Sequence, residues 1–180
     1  MLLRRENLTL RAAVPEDAEL LCRWWNDGRL MIWVGYPLGL KTTPERVWRE
    51  LAACVDDTFR ILIMEVGGLA IGEMNYRLLD NETASIGIKV CETDWRGRGF
   101  GGSFLRLLID CLFRDFNRQK IILATDPNNA PARRLYEKLG FKPTRFRYHS
   151  WQNQIGEWRS SVDYELCRAD YSLFGVSCLI

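Results

Sequence analysis

Four of the six residues from Gly97 to Gly102 are glycine, in the block Trp95-Arg96-Gly97-Arg98-Gly99-Phe100-Gly101-Gly102-Ser103. A strand-like run precedes this block and an amphipathic helical run follows it. Glycine reaches positive φ without steric cost, so such a block can turn the chain with several N–H groups facing inward. The helix that follows adds the unpaired donors and the positive dipole end of its first turn. Together they form a cradle for a pyrophosphate, to which Arg96 and Arg98 add positive charge. A turn that merely closes a helix would have the same composition, so the flanking segments have to decide.

Phe59–Val66 and Leu69–Leu78 are rich in strand formers around a Gly67-Gly68 hairpin signal, and Asp80-Asn81-Glu82 turns the chain into a third strand over 84–90. Three hairpin-linked strands before the glycine block do not fit a dinucleotide site, although Gly97, Gly99 and Gly102 satisfy G-x-G-x-x-G formally. Gly97 and Gly102 also have Walker A spacing, but Ser103 stands where that motif requires lysine.

The rest of the chain completes a mixed pattern. Leu8–Val14 alternates like a strand, and Pro15-Glu16-Asp17 opens a helix through Asn26. Residues 28–40 read as a structured loop. Thr42 with Glu45 resembles a capping box for a helix to about Val55. Phe104, Leu105, Leu108, Ile109, Leu112 and Phe113 form the apolar stripe of a helix over 101–116. A strand over 120–125, a helix over 130–139 stopped by Gly140, and strands over 141–148 and 161–168 follow. The prediction is one α/β (α+β) domain over residues 1–180, with a largely antiparallel sheet of about seven strands and four helices.

Composition narrows the chemistry. With 25 basic and 23 acidic residues the net charge is +2, which gives nucleic acid no strong electrostatic footprint. A single histidine, His149, and six widely spaced cysteines argue against a multi-histidine metal site, a zinc cluster or a disulfide framework. No stretch reads as a signal peptide or membrane span, so a cytoplasmic protein is expected. The apolar run Leu173–Ile180 needs cover, from the sheet or from a second copy in a homodimer.

The glycine block resembles the acetyl-CoA loop of the GCN5-related N-acetyltransferases, Q/R-x-x-G-x-G/A, with Arg96, Gly99 and Gly101 at its fixed positions. Asn129, Tyr136 seven residues later, and Leu135-Tyr136-Glu137-Lys138-Leu139-Gly140-Phe141 resemble the family's second signature. The opening, Leu8–Asn26, resembles the subfamily that includes ribosomal-protein N-terminal acetyltransferases. The resemblance implies a sheet splayed between its fourth and fifth strands (84–90 and 120–125), with Ile88 and Val90 beside the acetyl thioester. It implies acetyl-CoA binding through Ile88, Val90, Arg96, Gly97, Arg98, Gly99, Phe100, Gly101, Gly102, Asn129 and Tyr136. Tyr136 is then the general acid for the CoA thiolate and Asn129 a ligand of the pantetheine arm.

The base is less legible. The strand SIGIKV holds no acid, which leaves Glu73, or Glu82, acting through water, although either also reads as a solvated surface carboxylate. Trp24, Trp25, Trp33 and Tyr36 offer an aromatic wall for an acceptor amine: a peptide or ribosomal-protein N-terminus, an aminoglycoside or a polyamine. A catalytically silent CoA-binding sensor is the alternative.

Overall fold

A computed structural model describes residues 1–53 and 58–173. One open sheet of eight strands runs in the order β1-β2-β3-β4-β5-β6-β8-β7. Its strands are β1 (Leu2–Arg5), β2 (Leu8–Ala12), β3 (Phe59–Val66), β4 (Leu69–Leu78), β5 (Thr83–Val90), β6 (Lys120–Thr125), β7 (Lys142–Gln152) and β8 (Trp158–Cys167). Only β5 and β6 pair parallel; every other neighbour is antiparallel. The extra strand, relative to the seven expected, is β1. It is a mostly exposed edge strand without the alternation that marks a half-buried one, so its sequence carries little strand signal.

Among the described residues there are six α-helices where four were expected: α1 (Ala18–Trp25), α2 (Gly28–Met31), α3 (Pro44–Ala52), α4 (Phe100–Arg114), α5 (Ala130–Lys138) and α6 (Arg168–Leu173). The expected loop over 28–40 holds α2, capped by Asp27, and a 3₁₀ turn, Ile32–Val34. Its glycines serve close approach: a Cβ on Gly28 would lie 1.9 Å from the Pro37 carbonyl oxygen, and one on Gly39 would lie 2.3 Å from that of Asn26. The cap of α3 is Thr43, one residue later than expected, and its side chain accepts from Arg46 N–H. Residues 174–180, most of the apolar tail, lie outside the described residues, as do Cys54 and Val55.

The sheet buries a different core on each face. Leu62, Met64, Met74, Tyr76, Ile86, Ile121, Leu123 and Tyr164 pack with Phe104, Leu105, Leu108, Ile109 and Leu112 of α4 and with Tyr136 and Leu139 of α5. On the other face Ile63 and Cys91 pack with Leu21, Trp24 and Trp25 of α1, Met31 of α2 and Val47 and Leu51 of α3. Cys22, Cys91, Cys111 and Cys167 are free thiols, the first three buried. Among the described residues no helix is long and apolar enough to cross a membrane.

Candidate active site

Pairing between β5 and β6 is confined to Thr83, Ala84 and Ser85 against Lys120, Ile121 and Ile122. Beyond them Ile86–Val90 and Leu123–Thr125 face each other without a ladder, so two strand edges open into a gap. A cavity of about 540 Å³ opens beside this gap, lined by Ser85 of β5 and by Ile122, Leu123, Ala124 and Thr125 of β6; none of Ile86–Val90 is in its wall. Successive strand residues point to opposite faces, so a cavity lined by four in a row occupies the space beside the strand edge.

The glycine block meets this gap from the α4 side. Gly99 caps α4 at φ +86°, and Gly97 is at φ +73°. The N–H groups of residues 97–101 have no hydrogen-bond acceptor among the described residues; the first bonded donors are those of Gly102 and Ser103, both to the Gly99 carbonyl. Five successive unbonded donors at a helix N-terminus fit a pyrophosphate. Open space surrounds the Gly97 and Gly99 Cα atoms. A Cβ on Gly101 would lie within 4 Å of Ile88, Val90 and Leu135 side chains, so the start of α4 packs against the C-terminal end of β5 and the second half of α5.

The two arginines divide. Arg96 turns back, its Nε donating to the Val90 carbonyl and its Nη2 to that of Cys91, each at 3.0 Å. It therefore fastens the loop to the end of β5, whereas Arg98 is exposed, 5.9 Å over the Trp95 ring, and free to meet phosphate. Phe100 stacks edge-on against Trp95 and anchors the first turn of α4.

Asn129 caps α5, its side chain accepting from Ala132 N–H at 3.3 Å; neither it nor Tyr136 is in the cavity wall. Tyr136 is 6% exposed and held edge-on by Phe141 and Tyr164. Tyr164 is itself fixed by α5, accepting from Arg133 Nε and donating to Glu137 Oε1. The Tyr136 hydroxyl has no hydrogen-bond partner among the described residues, and no fully buried side-chain polar atom there lacks one. The hydroxyl is thus not fully buried. Burial, and less strongly Tyr164, pushes its pKa up to about 12.

Glu73 differs from expectation. It is 3% exposed, and its Oε1 accepts from Trp25 Nε1 at 2.9 Å and from Lys89 Nζ at 2.7 Å. Glu73 and Lys89 are cross-strand partners beneath α1. The cavity wall does not include Glu73. Its Oε1 is thus held on the α1 side of the sheet, outside the cavity wall, while Glu82, the other candidate, is exposed. Trp24 and Trp25 are likewise core residues, their indoles bonded to Glu92 and Glu73, so the expected aromatic wall reduces to Trp33 and Tyr36. Trp33 and Val34 line the cavity, joined by Trp151, Arg147, Asp163 and Asp126 from the far end of the sheet. Sequence reading missed these last four because long-range pairing alone brings them there.

The acetyltransferase (GNAT) domain family matches residues 7–142. The chain belongs to this family of acetyl-CoA-dependent N-acetyltransferases. It is 28% identical over 147 residues to the uncharacterized N-acetyltransferase p20 of Bacillus licheniformis, covering 76% of this chain and 80% of that one. Among solved structures, spermidine N-acetyltransferase from Vibrio cholerae in complex with CoA and spermine superposes with a TM-score of 0.80 at 20% identity, over 93% of this chain and 99% of the other. RimL, a ribosomal L7/L12 α-N-protein acetyltransferase in complex with coenzyme A, gives 0.82 at 14% identity, over 93% and 98%. At these identities the superpositions establish the fold.

Proposed function

We propose that this protein transfers the acetyl group of acetyl-CoA to the α-amine of a peptide N-terminus, by direct attack in the gap between β5 and β6. The observation that carries the mechanism is Tyr136, 6% exposed, whose hydroxyl has no hydrogen-bond partner among the described residues and is not fully buried. Acetyl-CoA supplies the acyl group and a thiol leaving group, so the C–N bond forms as the C–S bond breaks. The backbone N–H groups of residues 97–101 and Arg98 hold its phosphates, and the free edge of β5 at Ile88 and Val90 aligns its arm together with Asn129. Tyr136 donates its hydroxyl proton to the departing sulfur, and the proton shed by the attacking nitrogen passes through water and restores the phenol. A phenol near 12 remains protonated over the working range, as a general acid must.

Two features favour an α-amine. The cavity's carboxylates are already matched: Asp126 accepts from Arg159 Nε and Nη2, and Asp163 pairs with Arg147 at 2.6 Å. A polycation needs unmatched carboxylates, whereas a peptide end brings one amine and neutral amides that suit Ser85, Thr125, Ser160 and Ser161. The second feature is the base. With both carboxylates of the cavity wall paired to arginines, the amine arrives neutral. An α-amine with pKa about 7.7–8.0 is roughly a third neutral near pH 7.5, against about one in a thousand for a lysine-type amine.

Tyr136→Phe tests the mechanism, because it keeps the ring in its packing and removes one oxygen. The expected result is turnover lowered about 10²-fold with acetyl-CoA affinity nearly unchanged. Unchanged turnover would remove Tyr136 from the chemistry.

A further inference from the structure

Tyr136 stands on α5, outside the wall of the cavity, yet two residues that fasten α5 belong to that wall, Asp126 and Tyr164. Asp126, 4% exposed, works at the start of the helix. Its Oδ1 accepts from Asn128 N–H at 2.8 Å and its Oδ2 from Arg159 of β8, which fixes the turn between β6 and α5 to the sheet. Tyr164 of β8 works on the body of the helix. Its hydroxyl accepts from Arg133 Nε at 3.2 Å and donates to Glu137 Oε1 at 2.8 Å. Arg133 and Glu137 are four residues apart on one face of α5, so both bonds fall on the turn that carries Tyr136.

The two phenols divide the work. Tyr164 is 1% exposed, paired with Leu123 of β6 across the ladder, and its ring meets the Tyr136 ring edge-on at 5.9 Å. Its hydroxyl is engaged on both sides and has no proton to lend. The Tyr136 hydroxyl has no hydrogen-bond partner among the described residues, so only ring packing and the placement of α5 decide where it stands.

Resting on the acetyl-transfer reading of this gap, we propose that Tyr164 is a positioning residue for Tyr136. Its hydroxyl registers α5 against the strand that walls the acceptor cavity, so the Tyr136 hydroxyl stands ready for the departing sulfur when the amine attacks. Tyr164 acts through the helix and takes no part in the proton transfer. Misplacing a reacting group by about 1 Å can cost about 10²-fold in rate, so loosening one turn of α5 is enough to be felt.

The test is a double-mutant cycle in kcat, with acetyl-CoA and a peptide that has a free α-amine. Tyr164→Phe keeps the ring against Tyr136 and removes both bonds to α5, while the Arg133 and Glu137 side chains, nearly half exposed, stay solvated. It should lower kcat about tenfold and leave acetyl-CoA affinity and the KM of the peptide within about twofold of wild type. In a Tyr136→Phe background there is no proton left to place, and adding Tyr164→Phe should change kcat by less than about twofold. Glu137→Gln retains an oxygen that accepts from the Tyr164 hydroxyl and should keep kcat within about twofold of wild type, whereas Glu137→Met should lower it about fivefold. An unchanged kcat for Tyr164→Phe overturns the proposal, and so does a loss of equal size in both backgrounds, since Tyr164 would then act on something other than the Tyr136 proton. Unchanged turnover in Tyr136→Phe alone is a separate result: it removes the acid from the transfer reading and the role of Tyr164 with it.

Discussion

The two faces of the sheet do their work by different means. On the α4 face the site is main chain: unbonded N–H groups of residues 97–101 and the unladdered edge of β5. On the α1 face side chains hold the structure: Glu73 clasped by Trp25 and Lys89, two matched arginine–carboxylate pairs, and the hydrogen bonds of Gln154. A face that recognises an invariant cofactor with its backbone needs only glycines and spacing. A face that selects an acceptor needs particular side chains, and these come from strands far apart in the chain.

The most damaging way to break the comparison is at Gly99. Gly99→Asp forces a residue with a Cβ into φ +86° and sets a negative charge at the donor cradle. Acetyl-CoA affinity should fall on the order of 10³-fold by calorimetry, with the fold intact by circular dichroism. A folded variant binding as tightly as wild type would mean that the backbone cradle does not hold the phosphates.

The same logic on the α1 face predicts a loss of stability more than of cofactor binding. Lys89→Met leaves the nearly inaccessible Glu73 carboxylate without its cation, which should cost about 3 kcal/mol in urea unfolding. Adding Glu73→Gln should restore a good part of it, because both charges are then gone. If the single variant were as stable as wild type, the pair would be no structural anchor, and Glu73 would again be open to a catalytic role.

A smaller effect separates the groups that titrate. With an α-amine acceptor, kcat/KM should rise about sixfold from pH 7 to pH 9 as the amine loses its proton. It should then hold level to pH 10, because burial keeps the Tyr136 proton in place up to about 12. The sign follows from the protonation each group needs: the nucleophile must be deprotonated, the acid protonated. A decline beginning below pH 10 would show a phenol of ordinary pKa at the site.

Legibility in the sequence follows the same division. The hairpin Phe59–Leu78, β6 and the cap of α4 were readable because alternation, Gly67-Gly68 and the glycine block are local signals. That Asn129 and Tyr136 sit at the cap and on the body of one helix was readable from the local pattern, although the hydroxyl's lack of a partner was not. Glu73 looked like a solvated carboxylate because nothing local announces that Trp25, 48 residues away in sequence, lies over it. Gln154 carried no signal, since its partners lie 115 and 116 residues earlier and its hydrogen bonds exist only after β7 and β8 have paired. The matched pairs Asp126–Arg159 and Arg147–Asp163 were hidden for the same reason.

The central claim is acetyl transfer to an α-amine in the β5–β6 gap, and one experiment addresses it directly. Wild-type protein is mixed with acetyl-CoA and a pool of peptides with free N-termini, and released thiol is followed alongside the mass of the peptides. The account predicts one thiol for each peptide that gains one acetyl group, with the same peptides unreactive once their α-amines are blocked. Tight acetyl-CoA binding with no thiol release from any peptide would contradict it, and would leave a domain that senses the cofactor without using it.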